Sequence, residues 1–199
     1  MSTSQLTIRP AALKSSDHEL LIDFKDSQLE WLSEVGSTEQ WGTQPAREGN
    51  PSVLEKCRQW VEKSESHVPW GAEWCRAFVA ETSTGTPVAG LVLDSKAPAY
   101  VRAILPGQDE QDPFVYLAYL ISNRNAGGEK KGAGAALINV AKEQTRKAGL
   151  NRICLDCFRG NGRKLVKYYE SQGFVSIGDF SASVPDKDDW LGCVMEMRV

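Results

Sequence analysis

Histidine is scarce in this sequence: His18 and His67 are the only two in 199 residues, and both sit in polar surroundings. That leaves little basis for a histidine-built metal centre or a histidine-activated nucleophile, and no metal is expected. The five cysteines are odd in number and lack a dense spacing pattern, which fits reduced thiols rather than a disulfide framework. Cys154 and Cys157 spell a Cys-x-x-Cys pair, but in a strand residues three apart point to opposite faces, so the two thiols are expected to be buried separately. No apolar run approaches the roughly 18 residues of a membrane span, and the polar start from Met1 to Gln5 is unlike a signal peptide. No membrane association and a cytoplasmic location are therefore expected. The net charge of −3, with a pI near 5.5, lacks the basic excess of a nucleic-acid surface. Internal repeats and low-complexity tracts are also missing.

The composition, 41% hydrophobic and 25% charged, is that of an ordinary globular chain long enough for one domain over residues 1–199. The most informative stretch runs from Phe114 to Phe174. An apolar run, Phe114 to Ile121, leads into a glycine-rich turn, Asn125 to Gly134, and then into an amphipathic segment ending near Ala148 and Gly149. A second apolar run, Arg152 to Phe158, is followed by Asn161, a short helical pattern with Tyr168 and Tyr169, and Gly173-Phe174. The order is strand, glycine turn, helix, strand, helix.

A glycine turn opening a helix suits phosphate, because the first helical N–H groups lack partners and the peptide dipoles add positive potential. Gly132 and Gly134 would let an anion approach the backbone, and Lys130 and Lys131 add charge. The turn is neither a Walker loop, which needs a Gly-Lys-Ser/Thr ending, nor a Rossmann turn, which needs a third glycine where Leu137 stands.

Upstream, Leu6 to Arg9 alternates before Pro10 and reads as a strand. Ser16-Asp17 can cap a helix carrying Leu20, Leu21, Phe24, Leu29 and Trp31 on one face, and Pro51 to Ser66 gives another with Trp60 and Val61. Five of the six tryptophans lie in this part; Trp31 and Trp60 read as helix-packing residues, whereas Trp41 and Trp70 sit in loops. Arg76 to Glu81 and Pro87 to Leu93 form a hairpin around Thr82 to Thr86. A connection from Ser95 to Pro113 carries Asp109, Glu110 and Asp112 and reads as a solvated surface. Leu191 to Val199 is a final strand expected beside Phe174 to Ile177.

From Val115 to Phe174 this pattern resembles the GNAT superfamily of acyl-CoA-dependent N-acetyltransferases. Their pyrophosphate loop has the form Gln/Arg-x-x-Gly-x-Gly/Ala, a frame occupied here by Glu129, Lys130, Lys131, Gly132, Ala133 and Gly134, with an acid at the first position. Leu155 to Asn161 and Tyr169 to Phe174 are similar to the family's strand, Asn, helix, Tyr and Gly-Phe series, with one residue inserted between the two anchors. The resemblance implies an α/β GNAT-like fold: a mixed, mostly antiparallel sheet of about seven strands, about four flanking helices, and a splay between the fourth and fifth strands. It implies acetyl-CoA as acyl donor, bound by the turn from Glu129 to Ala135, by the backbone of Tyr119, Leu120, Ile121 and Ser122, and by Asn161 and Tyr168. It leaves a homodimer open.

The implied reaction is direct attack of a primary amine, of a small molecule or a peptide, on the thioester. A phenol, with a pKa near 10 against about 8.5 for a thiol, stays protonated at neutral pH and can donate to the departing sulfur. The resemblance gives that role to Tyr169, four residues before Gly173. The strand from Phe114 to Ile121 carries no carboxylate, so Asp156 and Glu81 are the candidates for proton removal, with Glu81, Trp41 and Trp70 near the acceptor. Two other readings compete: a non-catalytic acyl-CoA sensor, and an interaction module using the tryptophan-rich region.

Overall fold

The computed structural model describes residues 6–49, 51–102, 104–105, 111–182 and 190–199. Seven strands form one sheet in the order β1-β2-β3-β4-β5-β7-β6. They are β1 (Thr7–Pro10), β2 (Cys75–Glu81), β3 (Pro87–Asp94), β4 (Val115–Ser122), β5 (Arg152–Phe158), β6 (Val175–Ala182) and β7 (Trp190–Arg198). Every neighbouring pair is antiparallel except β4 and β5, which are parallel. The expected hairpin is β2–β3, and the final strand lies between β5 and β6. Pro10 is tolerated because β1 is an edge strand and a missing N–H costs nothing on its open side.

The described residues hold six α-helical segments rather than about four: α1 (Asp17–Asp26), α2 (Leu29–Glu34), α3 (Ala46–Gly49), α4 (Pro51–Glu65), α5 (Ala133–Lys147) and α6 (Gly160–Ser171). The helix expected to run from Asp17 through Trp31 breaks at Ser27 and Gln28. The Ser27 hydroxyl and the Gln28 side-chain amide both donate to the Phe24 carbonyl, competing with the helical ladder. The Gln28 amide also donates to the Ser122 carbonyl at 2.6 Å, so this break ties the N-terminal helices to the end of β4.

Strand alternation sorts the core onto two sheet faces. On one face, Leu91, Leu117, Ile153, Leu155 and Met195 pack against α5 (Leu137, Ile138, Ala141) and α6 (Val166, Tyr169). The other face is divided. Leu21, Ile22, Trp60 and Val61 from α1 and α4 cover β2 and β3, whereas Ala97, Val101, Leu105 and Phe114 cover Tyr116, Cys154 and Val194. A Cβ on Gly90 would lie 2.4 Å from Leu21 Cδ2, so glycine there is what lets α1 sit so close to β3. Cys154 and Cys157 face opposite sides as expected, and all five thiols are free and buried. Burial pushes Cys154 up to about 12, which suits a packing group rather than a nucleophile.

Arg152, almost fully buried at the start of β5, donates to Glu196 on β7 at 2.9 Å and pairs with Asp112 at 3.2 Å. Asp112 also takes a two-pronged contact from Arg198, with both distances 2.7 Å. Of the three acids read as a solvated surface, this one is therefore a strand lock; Asp109 and Glu110 lie outside the described residues.

Candidate active site

The pairing of β4 with β5 covers only Val115 with Ile153 and Tyr116 with Cys154. Beyond it the strands part. The register between β3 and β4 shifts here: Leu93 pairs with Leu117 and Val92 with Tyr119, leaving Ala118 as an extra residue. Such a bulge bends and over-twists its strand, which turns β4 away from β5. The gap opens into a cavity of about 590 Å³. Its walls come from β4 (Leu120, Ile121, Ser122), from Phe158 at the end of β5, from the turn before α5, and from one side of α6.

The turn is a short 3₁₀ segment, Arg124–Lys130, in which Gly127 takes φ 55°, ψ −128°, a conformation that needs glycine. Gly132 caps α5 in the left-handed region at φ 84°. The exposed N-terminus of this 15-residue helix therefore faces the cavity, with Gly132, Gly134 and Ala135 on its border. Lys130, Lys131 and Arg124 border it too, and Lys164 stands across from them on α6. Lys130 donates to the Arg124 carbonyl at 3.0 Å, and burial lowers its ammonium pKa. Two residues of the expected loop are placed elsewhere. Ala133 is buried in the core beneath the helix, and Glu129 is exposed and does not line the cavity.

The inserted residue seen in the sequence is absorbed at the start of α6. Asn161, Gly162 and Arg163 are all left-handed, with φ of 50°, 62° and 60°. Asn and Gly accept this region readily and Arg does so at a cost; Arg163 is held there by Asp179 at 2.8 Å. Regular helix then carries Leu165, Tyr168 and Tyr169 to the cavity. Tyr169 is buried, edge-on to Phe174 with ring centres 5.5 Å apart. Burial pushes its hydroxyl pKa well above the usual phenol value, so it stays protonated. Tyr168 is half-buried, and its hydroxyl hangs over Gly134: a Cβ there would meet it at 2.3 Å.

The N-terminal region supplies a wall that the sequence did not reveal. Arg124 lies over the Trp31 ring, 3.7 Å from its centre, and donates to Gln28 at 3.1 Å. Trp31, expected as helix packing, is half-buried and borders the cavity, as do Gln28, Leu32 and Gln40. Trp41 borders it as well. Trp70 does not; it packs against Trp74 with ring centres 5.2 Å apart. Glu81 is remote, accepting from Arg9 at 2.8 Å at the edge of β2. The side chain of Tyr119 turns into the α1–α4 cluster and donates to the Leu21 carbonyl at 3.0 Å, so Tyr119 is not among the residues that line the cavity.

Asp156 opens on the opposite sheet face, into a separate pocket of about 200 Å³. Tyr116 donates to one carboxylate oxygen and Tyr100 to the other. Burial raises the Asp156 pKa, opposed by these two hydrogen bonds. Among the described residues no group of three or more His, Cys, Asp or Glu could hold a metal ion, and no helix is long and apolar enough to cross a membrane.

No protein-family model matches the sequence, and no curated protein sequence matches it either. Its fold matches many solved structures. An acetyltransferase of the GNAT family from Streptococcus pneumoniae superposes with a TM-score of 0.64 at 18% identity, covering 98% of this chain and 100% of that one. Ribosomal-protein-alanine N-acetyltransferase from Brucella melitensis gives 0.64 at 19% identity, covering 97% and 99%. A GNAT superfamily phosphinothricin acetyltransferase from Sinorhizobium meliloti, solved in complex with AcCoA, gives 0.64 at 13% identity, covering 100% and 89%. The fold is that of the GNAT acetyltransferases.

Proposed function

We propose that this chain, built on the GNAT fold, is an N-acetyltransferase that moves an acetyl group from acetyl-CoA to a primary amine by direct attack. The observation that carries the reading is the cavity in the splay, which runs without interruption from the glycine-capped N-terminus of α5 to Tyr169. Its donor set fits a pyrophosphate: free helical N–H groups at Gly134 and Ala135, and the cations Arg124, Lys130 and Lys131. Gly132, exposed and without a Cβ, keeps the approach open. Farther in, the backbone polar groups of Leu120, on the part of β4 that is free of β5, point away from β3 and suit the amides of a pantetheine arm, with Asn161 opposite, whereas those of Ile121 fall in the β3 ladder. The Ser122 carbonyl already accepts from Gln28, which fills one of its two acceptor positions.

In the reaction the amine, having lost one proton, forms a bond to the thioester carbonyl carbon as the carbon–sulfur bond breaks. The departing thiolate takes a proton from the Tyr169 hydroxyl, and the phenol is restored by the second proton leaving nitrogen. One proton is released overall. The raised pKa of Tyr169 holds the phenol as a donor, so it acts only as negative charge builds on sulfur.

The test has two readouts. Titration with coenzyme A should show saturable binding, and mixing with acetyl-CoA and a panel of primary amines should release free thiol. Failure of coenzyme A to bind would overturn the reading. Tight binding without thiol release for any amine would mark an acyl-CoA sensor instead.

A further inference from the structure

We propose that the smaller pocket holding Asp156 is the acceptor site, and that it takes a short zwitterionic primary amine, with the ammonium at Asp156 and the anionic group at Lys56. The proposal rests on the transferase reading above and adds the place and the chemical class of the acceptor.

The pocket meets the splay from the opposite side of the sheet. Strand pairing ends at Tyr116 and Cys154, and the pocket is floored by Ala118 and Asp156, two residues farther along each strand, at the point where the strands part. An amine held there faces the vertex of the gap that the larger cavity enters from the other side. The space exists because the helical cover of this face is divided: α4 ends one hydrophobic cluster, the segment around Ala97 to Leu105 forms another, and the pocket lies between them.

The lining selects the ligand. Asp156 spends one acceptor site on Tyr116 and one on Tyr100, and an ionised carboxylate offers about four, so it retains capacity for an ammonium group. Asp94 adds a second negative charge, and Trp60, Tyr100 and Tyr116 give aromatic walls of the kind that attract cations. Against these stands Lys56, whose ammonium lies 4.8 Å from the centre of the Trp60 ring and makes no ion pair among the described residues. Lys96 also lines the pocket, but it is tied to Glu73 at 3.2 Å. A diamine would bring its second positive charge toward Lys56; a carboxylate there would be matched. The volume of about 200 Å³ corresponds to roughly six or seven water molecules, enough for a compact amino acid and too little for a folded peptide segment.

The step attached to this pocket is the first proton transfer. The ammonium gives a proton to the Asp156 carboxylate, leaving a neutral amine whose lone pair forms the carbon–nitrogen bond; the carboxylic acid then returns the proton to solvent. Burial raises the pKa of Asp156, which strengthens it as a base. Tyr100 and Tyr116 are positioning residues that aim the carboxylate.

The experiment compares free short amino carboxylates, from glycine to 4-aminobutanoate, with their methyl esters and with 1,4-diaminobutane, following thiol release from acetyl-CoA. The best carboxylate should exceed its ester at least tenfold in kcat/KM, and Lys56→Met should shrink that ratio to about twofold or less. Asp156→Asn should lower kcat a hundredfold or more while coenzyme A titrates as in the unmodified protein, and Asp156→Glu should recover part of the loss. Preference for the diamine, or a ratio untouched by Lys56→Met, would overturn the ligand class; full activity of Asp156→Asn would overturn the site. Should no amine release thiol, ring-labelled tyrosine spectra titrated with 4-aminobutanoate still decide. Saturable shifts at Tyr100 and Tyr116 support the pocket, and their absence overturns it, whereas only a failed coenzyme A titration counts against the transferase reading itself.

Discussion

Gly134 and Tyr168 are coupled in a way that a double-mutant cycle can measure. Gly134 has ordinary helical dihedrals in the first turn of α5, so Gly134→Ala carries no backbone penalty and should gain up to about 1 kcal/mol in helix propensity. The new Cβ, however, would lie 2.3 Å from the Tyr168 hydroxyl, and the ring carbon bearing that hydroxyl is next at 3.4 Å. The phenol must move, at the roughly 1–3 kcal/mol typical of overpacking, and it can move only toward the cavity it borders. Gly134→Ala alone should therefore be neutral to destabilising by about 2 kcal/mol and should weaken coenzyme A binding. In Tyr168→Phe the nearest atom is the ring carbon in ordinary contact, so the same Gly→Ala step should stabilise. Urea unfolding at unchanged m-value reads the cycle, with an expected coupling of about 1–3 kcal/mol. Additivity within about 0.5 kcal/mol would refute the packing argument, and unchanged coenzyme A affinity in Gly134→Ala would refute the placement of Tyr168 at the phosphate end.

Tyr169→Phe should lower turnover by tenfold to a thousandfold, about 1.4–4 kcal/mol of transition-state stabilisation, with little effect on acetyl-CoA binding; a larger effect at Tyr168→Phe would move the proton donor by one residue. Gly132→Ala places a side chain at φ 84° and should cost about 1 kcal/mol by urea unfolding and weaken coenzyme A binding by calorimetry; a substitution silent in both would dismiss the turn. Arg152→Met strands Glu196 and leaves Asp112 to Arg198, and because both carboxylates still reach water the loss should sit near the lower end of about 3–5 kcal/mol; a change under about 1 kcal/mol in urea unfolding would refute the lock. Asp156 has a raised pKa in the folded state, so the folded protein binds more protons there than the unfolded chain and its contribution to stability falls as pH rises from about 4. With Lys56, Tyr100 and Tyr116 facing it, the stability difference between the unmodified protein and Asp156→Asn should decrease upward from that pH; a flat difference would mean that Asp156 ionises normally.

Local pattern determined much of this protein. The glycine turn, the amphipathic helix after it and the strand from Arg152 to Phe158 were legible because each is set by nearest neighbours: 3.6-residue periodicity, β-branched and aromatic runs, and glycines where φ must be positive. Even the inserted residue near Asn161 showed in the count between two anchors, although its resolution into three left-handed residues did not. Tertiary structure decided which side chains share a space. Nothing local says that Gln28 leaves its helix to bind a carbonyl 94 residues away, and without that break Trp31 reads as one more packing residue. Asp156 looks the same in sequence whichever face β5 turns to the larger cavity; the β4–β5 register puts it on the far side, beside two phenols that come from distant segments. Glu81 and Trp70 were misjudged for the same reason, since sequence gives a side chain's chemistry while the strand order and the packing of loops on the sheet fix what it faces.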